Sequence, residues 1–121
     1  MSVIKEKKHA FTKTHKLNSP SEYANVFKGA ERSTDDLLTV LARKKNLSGA
    51  RLGLAIAKKN VKRAVKRNAI KRVVRESFRQ QKEHLSGYDF VILCRHKAAS
   101  ASKKELATSI NRHWIRFMKS E

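Results

Sequence analysis

Residues 51–79 read RLGLAIAKKNVKRAVKRNAIKRVVRESFR, and two different periods meet inside that run. From Arg51 to Ala57 the pattern alternates. Leu52, Leu54 and Ile56 share one side and the small residues Gly53, Ala55 and Ala57 the other, as on a strand. From Ala64 onward the spacing becomes helical. At about 100° per residue, Ile70, Val73, Val74, Ser77 and Phe78 fall in one sector. Asn68, Lys71, Arg72, Arg75 and Arg79 fall in the opposite sector, with Arg67 at the border. A strand feeding an amphipathic helix over about 64–82 makes this an α+β chain.

The flanking segments extend that architecture. Ser19-Pro20-Ser21-Glu22 is a helix start: Ser19 caps, Pro20 suits the first helical position and Glu22 completes a capping box. Tyr23, Val26 and Phe27 share a face of that helix, and Gly29 is a natural stop. LLTVLAR (37–43) is apolar and partly β-branched. A short Gly-containing loop joins it to the 51–57 strand, and the two read as an antiparallel hairpin. A weaker strand is expected at about 31–34. Gly87 closes the exit turn of the basic helix, and YDFVILCR (88–95) is a further strand. Ser102-Lys103-Lys104-Glu105 is a second capping box. It opens a final helix with Leu106, Ile110, Trp114 and Phe117 along one side.

The expected order is therefore α-β-β-β-α-β-α: three helices against a small, mainly antiparallel four-stranded sheet. With no internal repeat and no long linker, the expectation is one domain over residues 1–121. Its core runs over 19–118, and residues 1–18 form a basic extended arm.

The 121 residues carry 29 Lys and Arg against 10 Asp and Glu, a formal net charge of +19. Such a balance implies a polyanionic partner: RNA, DNA or an anionic membrane surface. The N-terminal MSVIKEKKHAFTKTHK has no apolar run of the signal-peptide kind. No stretch approaches the roughly 20 apolar residues of a membrane span. The one cysteine, Cys94, excludes an internal disulfide and a multi-cysteine zinc site, and its apolar strand suits a buried thiol. The expectation is a soluble cytoplasmic protein with a nucleic-acid partner, no membrane and no obligate protein partner.

The distribution of charge sharpens this. Between Lys58 and Arg79 lie ten cations (Lys58, Lys59, Lys62, Arg63, Lys66, Arg67, Lys71, Arg72, Arg75 and Arg79) and one acid, Glu76. A merely solvated helix face mixes signs, because opposite charges at i,i+4 add about 0.2–0.5 kcal/mol and like charges cost a similar amount. Several of these cations also sit near the helix start, where the macrodipole disfavours them. A local penalty without local compensation points to phosphate binding. Arg grips phosphate bidentately, and Asn68 adds a donor and an acceptor.

A second surface is less specific. Gly53, Ala55 and Ala57 either admit a closely packed helix or leave a trough for an extended strand, with Tyr23 and Phe27 as its second wall. Aromatics beside a basic groove suit single-stranded nucleic acid, at ~1–3 kcal/mol per stacked base. Both are also ordinary core residues. Catalytic equipment is missing from the pattern. Asp35, Asp36, Asp89 and seven scattered Glu form no acid cluster, and the five His lack metal-ligand spacing. His113 reads as a surface or border residue.

The run AKKNVKRAVKRNAIKRVVRESFR (57–79), followed by YDFVILCR, resembles the bacterial ribonuclease P protein family. The resemblance extends to SPSEYANVF, RLGLAIAKK and the closing helix, in that order. It implies a subunit that binds a large catalytic RNA, the complex removing the 5′ leader of precursor tRNA with Mg²⁺ held mainly by RNA. The chain itself would carry no catalytic or metal-binding residue. The family's Arg-Asn-Arg signature falls on Arg67 and Asn68, with Ala69 at the third position, where a cation is usual. Lys58, Lys59, Arg63, Lys66, Lys71, Arg72, Arg75 and Arg79 complete the implied catalytic-RNA surface. The implied leader cleft uses Tyr23, Phe27, Gly53, Ala55 and Ala57, with Phe11 from the arm. The resemblance also implies the fold of a ribosomal protein's second domain, with a left-handed β-α-β crossover that no local pattern encodes. A structural ribosomal-RNA-binding protein is the alternative reading, and a DNA-compacting protein a third, disfavoured by the lack of a dimer seam.

Overall fold

A computed structural model describes residues 16–45 and 49–118. Along it run α1 (Pro20–Gly29), β1 (Glu31–Thr34), β2 (Leu38–Lys44), β3 (Arg51–Ala55), α2 (Ala64–Gln81), β4 (Tyr88–Cys94) and α3 (Lys103–Phe117). Single 3₁₀ turns occupy Lys82–Leu85 and His96–Ser100. The α1 and α3 starts form as their sequences dictate. Ser19 and Ser102 accept from the amides of Glu22 and Glu105, whose side chains return to the cap amides. Gly87 adopts φ 94°, which a residue with a Cβ rarely tolerates, and the chain turns there into β4.

The sheet order is β1-β2-β4-β3. β2 pairs antiparallel with β1 and β4, while β3 runs parallel to β4. The 37–43 and 51–57 segments are therefore not a hairpin: β4 lies between them. The reason is burial. β4 is apolar on both faces, so it gains most from a neighbour on each side, whereas β3 presents Gly53 and Ala55 and tolerates the edge. The parallel pair is closed by α2, a β-α-β unit. β3 also ends at Ala55. Ala57 lies in the next turn, where its carbonyl accepts from the amides of Asn60 and Val61, both at 3.1 Å.

Register sorts the side chains onto two faces. Val40 lies opposite Ile92, Ala42 and Leu52 beside Phe90, and Leu54 beside Ile92. This face packs on Ile70, Val74 and Phe78 of α2 and on Leu106, Ile110 and Trp114 of α3. Phe78, Phe90, Trp114 and Phe117 meet edge-to-face or tilted, with Phe90 and Trp114 centroids 5.1 Å apart. The Trp114 Nε1–H donates to Ser77 Oγ at 2.8 Å. Leu41 and Val91 occupy the opposite face, under Val26 of α1 and beside Leu17.

His113 is buried, 3 % exposed, rather than peripheral. It lies one turn from Ile110 on the inward side of α3, and its Nδ1 is 2.7 Å from Ser33 Oγ on β1. Its Nε2 is 3.3 Å from Asp35 Oδ2, but out of line for a hydrogen bond. Burial holds the imidazole pKa below its ordinary value despite that carboxylate.

Candidate nucleic-acid interface

α2 divides as its sequence requires. Ile70, Val74 and Phe78 are fully buried, while Asn68, Arg72 and Arg75 are exposed. Asn68, Arg72, Arg75, Glu76 and Arg79 line an open depression of about 450 Å³ along the outer face. Glu76 is ion-paired with Arg79. At the N-terminus Arg63 occupies the cap position without a side-chain capping bond, and no acid lies in the first turn. Positive charge is thus gathered at the positive end of the dipole.

The implied RNA contacts are not equivalent. Lys58, Lys59 and Arg63 are exposed in the turn and cap before α2. Lys66 donates to the carbonyl of Ala101, and Arg67 Nη1 donates to the carbonyls of Val61 and Lys62 at 3.0 and 2.9 Å. Those two side chains brace the 57–63 loop and the start of α3, in addition to any external role. Ala69 is half-buried, and Asn68 beside it is exposed.

Tyr23 is half-buried and lies on β3. A Cβ built on Gly53 would come within 2.7 Å of its ring, so only glycine admits the tyrosine there. The Tyr23 hydroxyl accepts the Leu54 amide at 3.2 Å, on the outer edge of β3. Gly53 is therefore roofed by Tyr23 itself, and Ala55 packs beneath α1. Phe27 is 51 % exposed, and Ala57 is exposed in the turn. Phe11 lies outside the described residues.

Edge placement of β3 joins the two surfaces. Lys16, Leu17, Tyr23, Leu52, Leu54, Lys71 and Arg75 line a cleft of about 250 Å³. Lys71 and Arg75 thus reach it from one sheet face and Tyr23 from the other. Leu17 donates its amide to the Leu52 carbonyl at 3.1 Å, extending the sheet by one bridge. Sequence reading missed Lys16, Leu17, Leu52 and Leu54 as cleft residues. No local signal could have found them, because only the parallel pairing puts β3 at the edge.

Among the described residues no three His, Cys, Asp or Glu side chains cluster so as to hold a metal ion. Asp35 is occupied by Ser109 Oγ at 2.6 Å and by the amides of Leu37 and Leu38, both at 2.9 Å. Among the same residues no helix is long and apolar enough to cross a membrane.

A mixed four-stranded sheet carrying a one-sided arginine helix, with an aromatic on the edge strand, defines a small α+β protein of the RNA-binding class. The family model described as Ribonuclease P matches residues 11–118, and the chain belongs to that family. The ribonuclease P protein component of Methylococcus capsulatus is 44 % identical over 107 residues, 88 % of this chain and 84 % of the relative. That of Vibrio vulnificus is 42 % identical over 108 residues, 89 % and 92 % of the two chains. Among solved structures, the RNase P protein of Thermotoga maritima aligns with TM-score 0.75 at 26 % identity, over 86 % and 98 % of the two chains. The Staphylococcus aureus RNase P protein aligns with TM-score 0.79 at 21 % identity, over 87 % and 98 %, a likeness of fold.

Proposed function

We infer that this chain is the protein subunit of the ribonuclease P holoenzyme, an endoribonuclease whose chemistry is carried by its RNA. The subunit binds the catalytic RNA and the 5′ leader of precursor tRNA, and promotes Mg²⁺-dependent cleavage that leaves the mature tRNA 5′ end. One observation carries this reading beyond family membership: α2 presents an almost acid-free arginine face outward from a fully packed helix. Lys58, Lys59, Arg63, Lys66, Arg67, Asn68, Lys71, Arg72, Arg75 and Arg79 form the catalytic-RNA surface. Tyr23 and Phe27, with Gly53 and Ala55 beneath, form the leader surface, and Phe11 and Ala57 extend it.

In this reading the Mg²⁺ is held mainly by the RNA. The protein's own contribution is electrostatic and positional. Its cations neutralise phosphates crowded by RNA folding, and its aromatic edge holds the single-stranded leader. The complex acts in the cytoplasm, and the chain serves as a single RNA-binding domain. Of the arm expected over residues 1–18, residues 1–15 lie outside the described residues. Leu17 is buried beside Val26, so the core begins before residue 19. The relatives reported above include no ribosomal protein, and the ribosomal reading gains nothing from them.

Reconstitution tests the inference. The chain alone should cleave nothing, and adding it to bacterial ribonuclease P RNA at low Mg²⁺ should restore leader removal. Absence of stimulation refutes the reading.

A further inference from the structure

Four charged side chains meet where β3 and β4 begin. Arg51 and Asp89 are direct neighbours across the parallel pair. Arg51 Nε and Nη2 donate to the two Asp89 oxygens at 3.0 and 2.8 Å, a bidentate pairing. The remaining terminal nitrogen, Nη1, donates to Glu22 Oε2 at 2.8 Å. Lys45 Nζ lies 2.9 Å from Asp89 Oδ1. Burial alone would raise the Asp89 carboxyl, but hydrogen bonds from Arg51 and Lys45 outweigh it and hold its pKa below the ordinary value.

Glu22 is also the capping-box residue of α1, its Oε1 accepting the amides of Asn18 and Ser19 at 2.6 and 3.2 Å. One guanidinium thus ties the start of α1 to the sheet. α1 has ten residues, too few to be rigid without tertiary anchors. Besides Val26 in the apolar layer, two contacts fix its first turn. Arg51 grips Glu22, and the next residue, Tyr23, lies on Gly53, two positions beyond Arg51. Phe27 follows one turn later, and its direction is set by how that turn is held.

We propose that Arg51 is a positioning residue for the leader surface. By clamping Glu22 to Asp89 it sets the angle of α1 over the sheet, and so the spacing of Tyr23 and Phe27 along β3. It is not a phosphate ligand: two carboxylates balance Arg51 and Lys45, so this cluster offers an RNA no net positive charge. The inference rests on the leader-binding reading above.

Glu22→Gln and Arg51→Lys test it in the reconstituted holoenzyme. Glutamine keeps the capping box but turns an amide toward Arg51; lysine keeps the charge but cannot bridge both acids. Each variant should lower the precursor-to-mature tRNA affinity ratio by about fivefold or more, the loss of one stacked base. KM for precursor should rise at unchanged kcat, and affinity for the catalytic RNA should hold. The double variant should be no worse than the stronger single one. If the ratio stays constant in both variants while Tyr23→Ala lowers it, the positioning role is overturned and leader binding survives. If Tyr23→Ala also leaves it unchanged, the leader reading itself fails. Parallel losses in catalytic-RNA affinity would mark general destabilisation and equally overturn the proposal.

Discussion

Gly53→Ala is the sharpest test of how the aromatic edge is built. The added methyl would stand 2.7 Å from Tyr23 Cε2 and Cζ and 2.8 Å from its oxygen. Carbon atoms at optimal separation lie about 3.5–4.0 Å apart, so the ring must retreat by roughly 1 Å. Overpacking of this kind costs about 1–3 kcal/mol. Retreat also strains the 3.2 Å bond from the Leu54 amide, worth about 1 kcal/mol. Against this, replacing glycine inside a strand returns about 0.5–1 kcal/mol. The net expectation is a loss of about 1–3 kcal/mol, or a Tm drop of roughly 4–12 °C for a chain of this length. Urea unfolding measures it in two backgrounds, wild type and Tyr23→Ala. Without the ring the methyl loses its three nearest contacts, so Gly53→Ala should be neutral or stabilising there, a coupling of at least about 1 kcal/mol. An equal loss in both backgrounds would show that Tyr23 does not rest on Gly53.

The remaining expectations concern other parts of the molecule. Arg72→Ala should leave stability unchanged and lower the salt slope of catalytic-RNA binding by about one unit or less. Arg67→Ala should also destabilise the free protein by about 1–3 kcal/mol, because the Val61 and Lys62 carbonyls lose their donor; urea unfolding separates the two variants. Burial would raise the Asp35 carboxyl, but bonds from Ser109, Leu38 and Leu37 bring its pKa from 3.8 to about 2. Its stabilisation is therefore complete above pH 4 and lost as pH falls from about 4 to 2, some 1–2 kcal/mol allowing for partial solvent exposure. Asp35→Asn should flatten the stability profile over that window by one proton. Burial pushes the Cys94 thiol pKa up to about 11, so a thiol reagent at pH 8 should label it slowly in the native protein and rapidly in denaturant.

Much of the molecule follows from neighbouring residues alone. Ser19 with Glu22, and Ser102 with Glu105, start helices because a cap and its partner lie three positions apart in any context. The split of α2 into Ile70, Val74 and Phe78 on one side and Asn68, Arg72 and Arg75 on the other needs only the helical period. The split of Leu52 and Leu54 from Gly53 and Ala55 needs only the two-residue alternation of a strand. Tertiary structure decided which strands are neighbours. β2 and β3 are joined by a short loop and still lie apart, because β4, apolar on both faces, buries more between them. That choice carried β3 to the sheet edge and brought Lys71 and Arg75 to the cleft that Tyr23 lines. It also set Arg51 beside Asp89 within reach of Glu22, and packing of α3 against β1 drew His113 inside. Local patterns state which side of an element avoids water; strand order and cross-element pairing emerge only from burial summed over the whole fold.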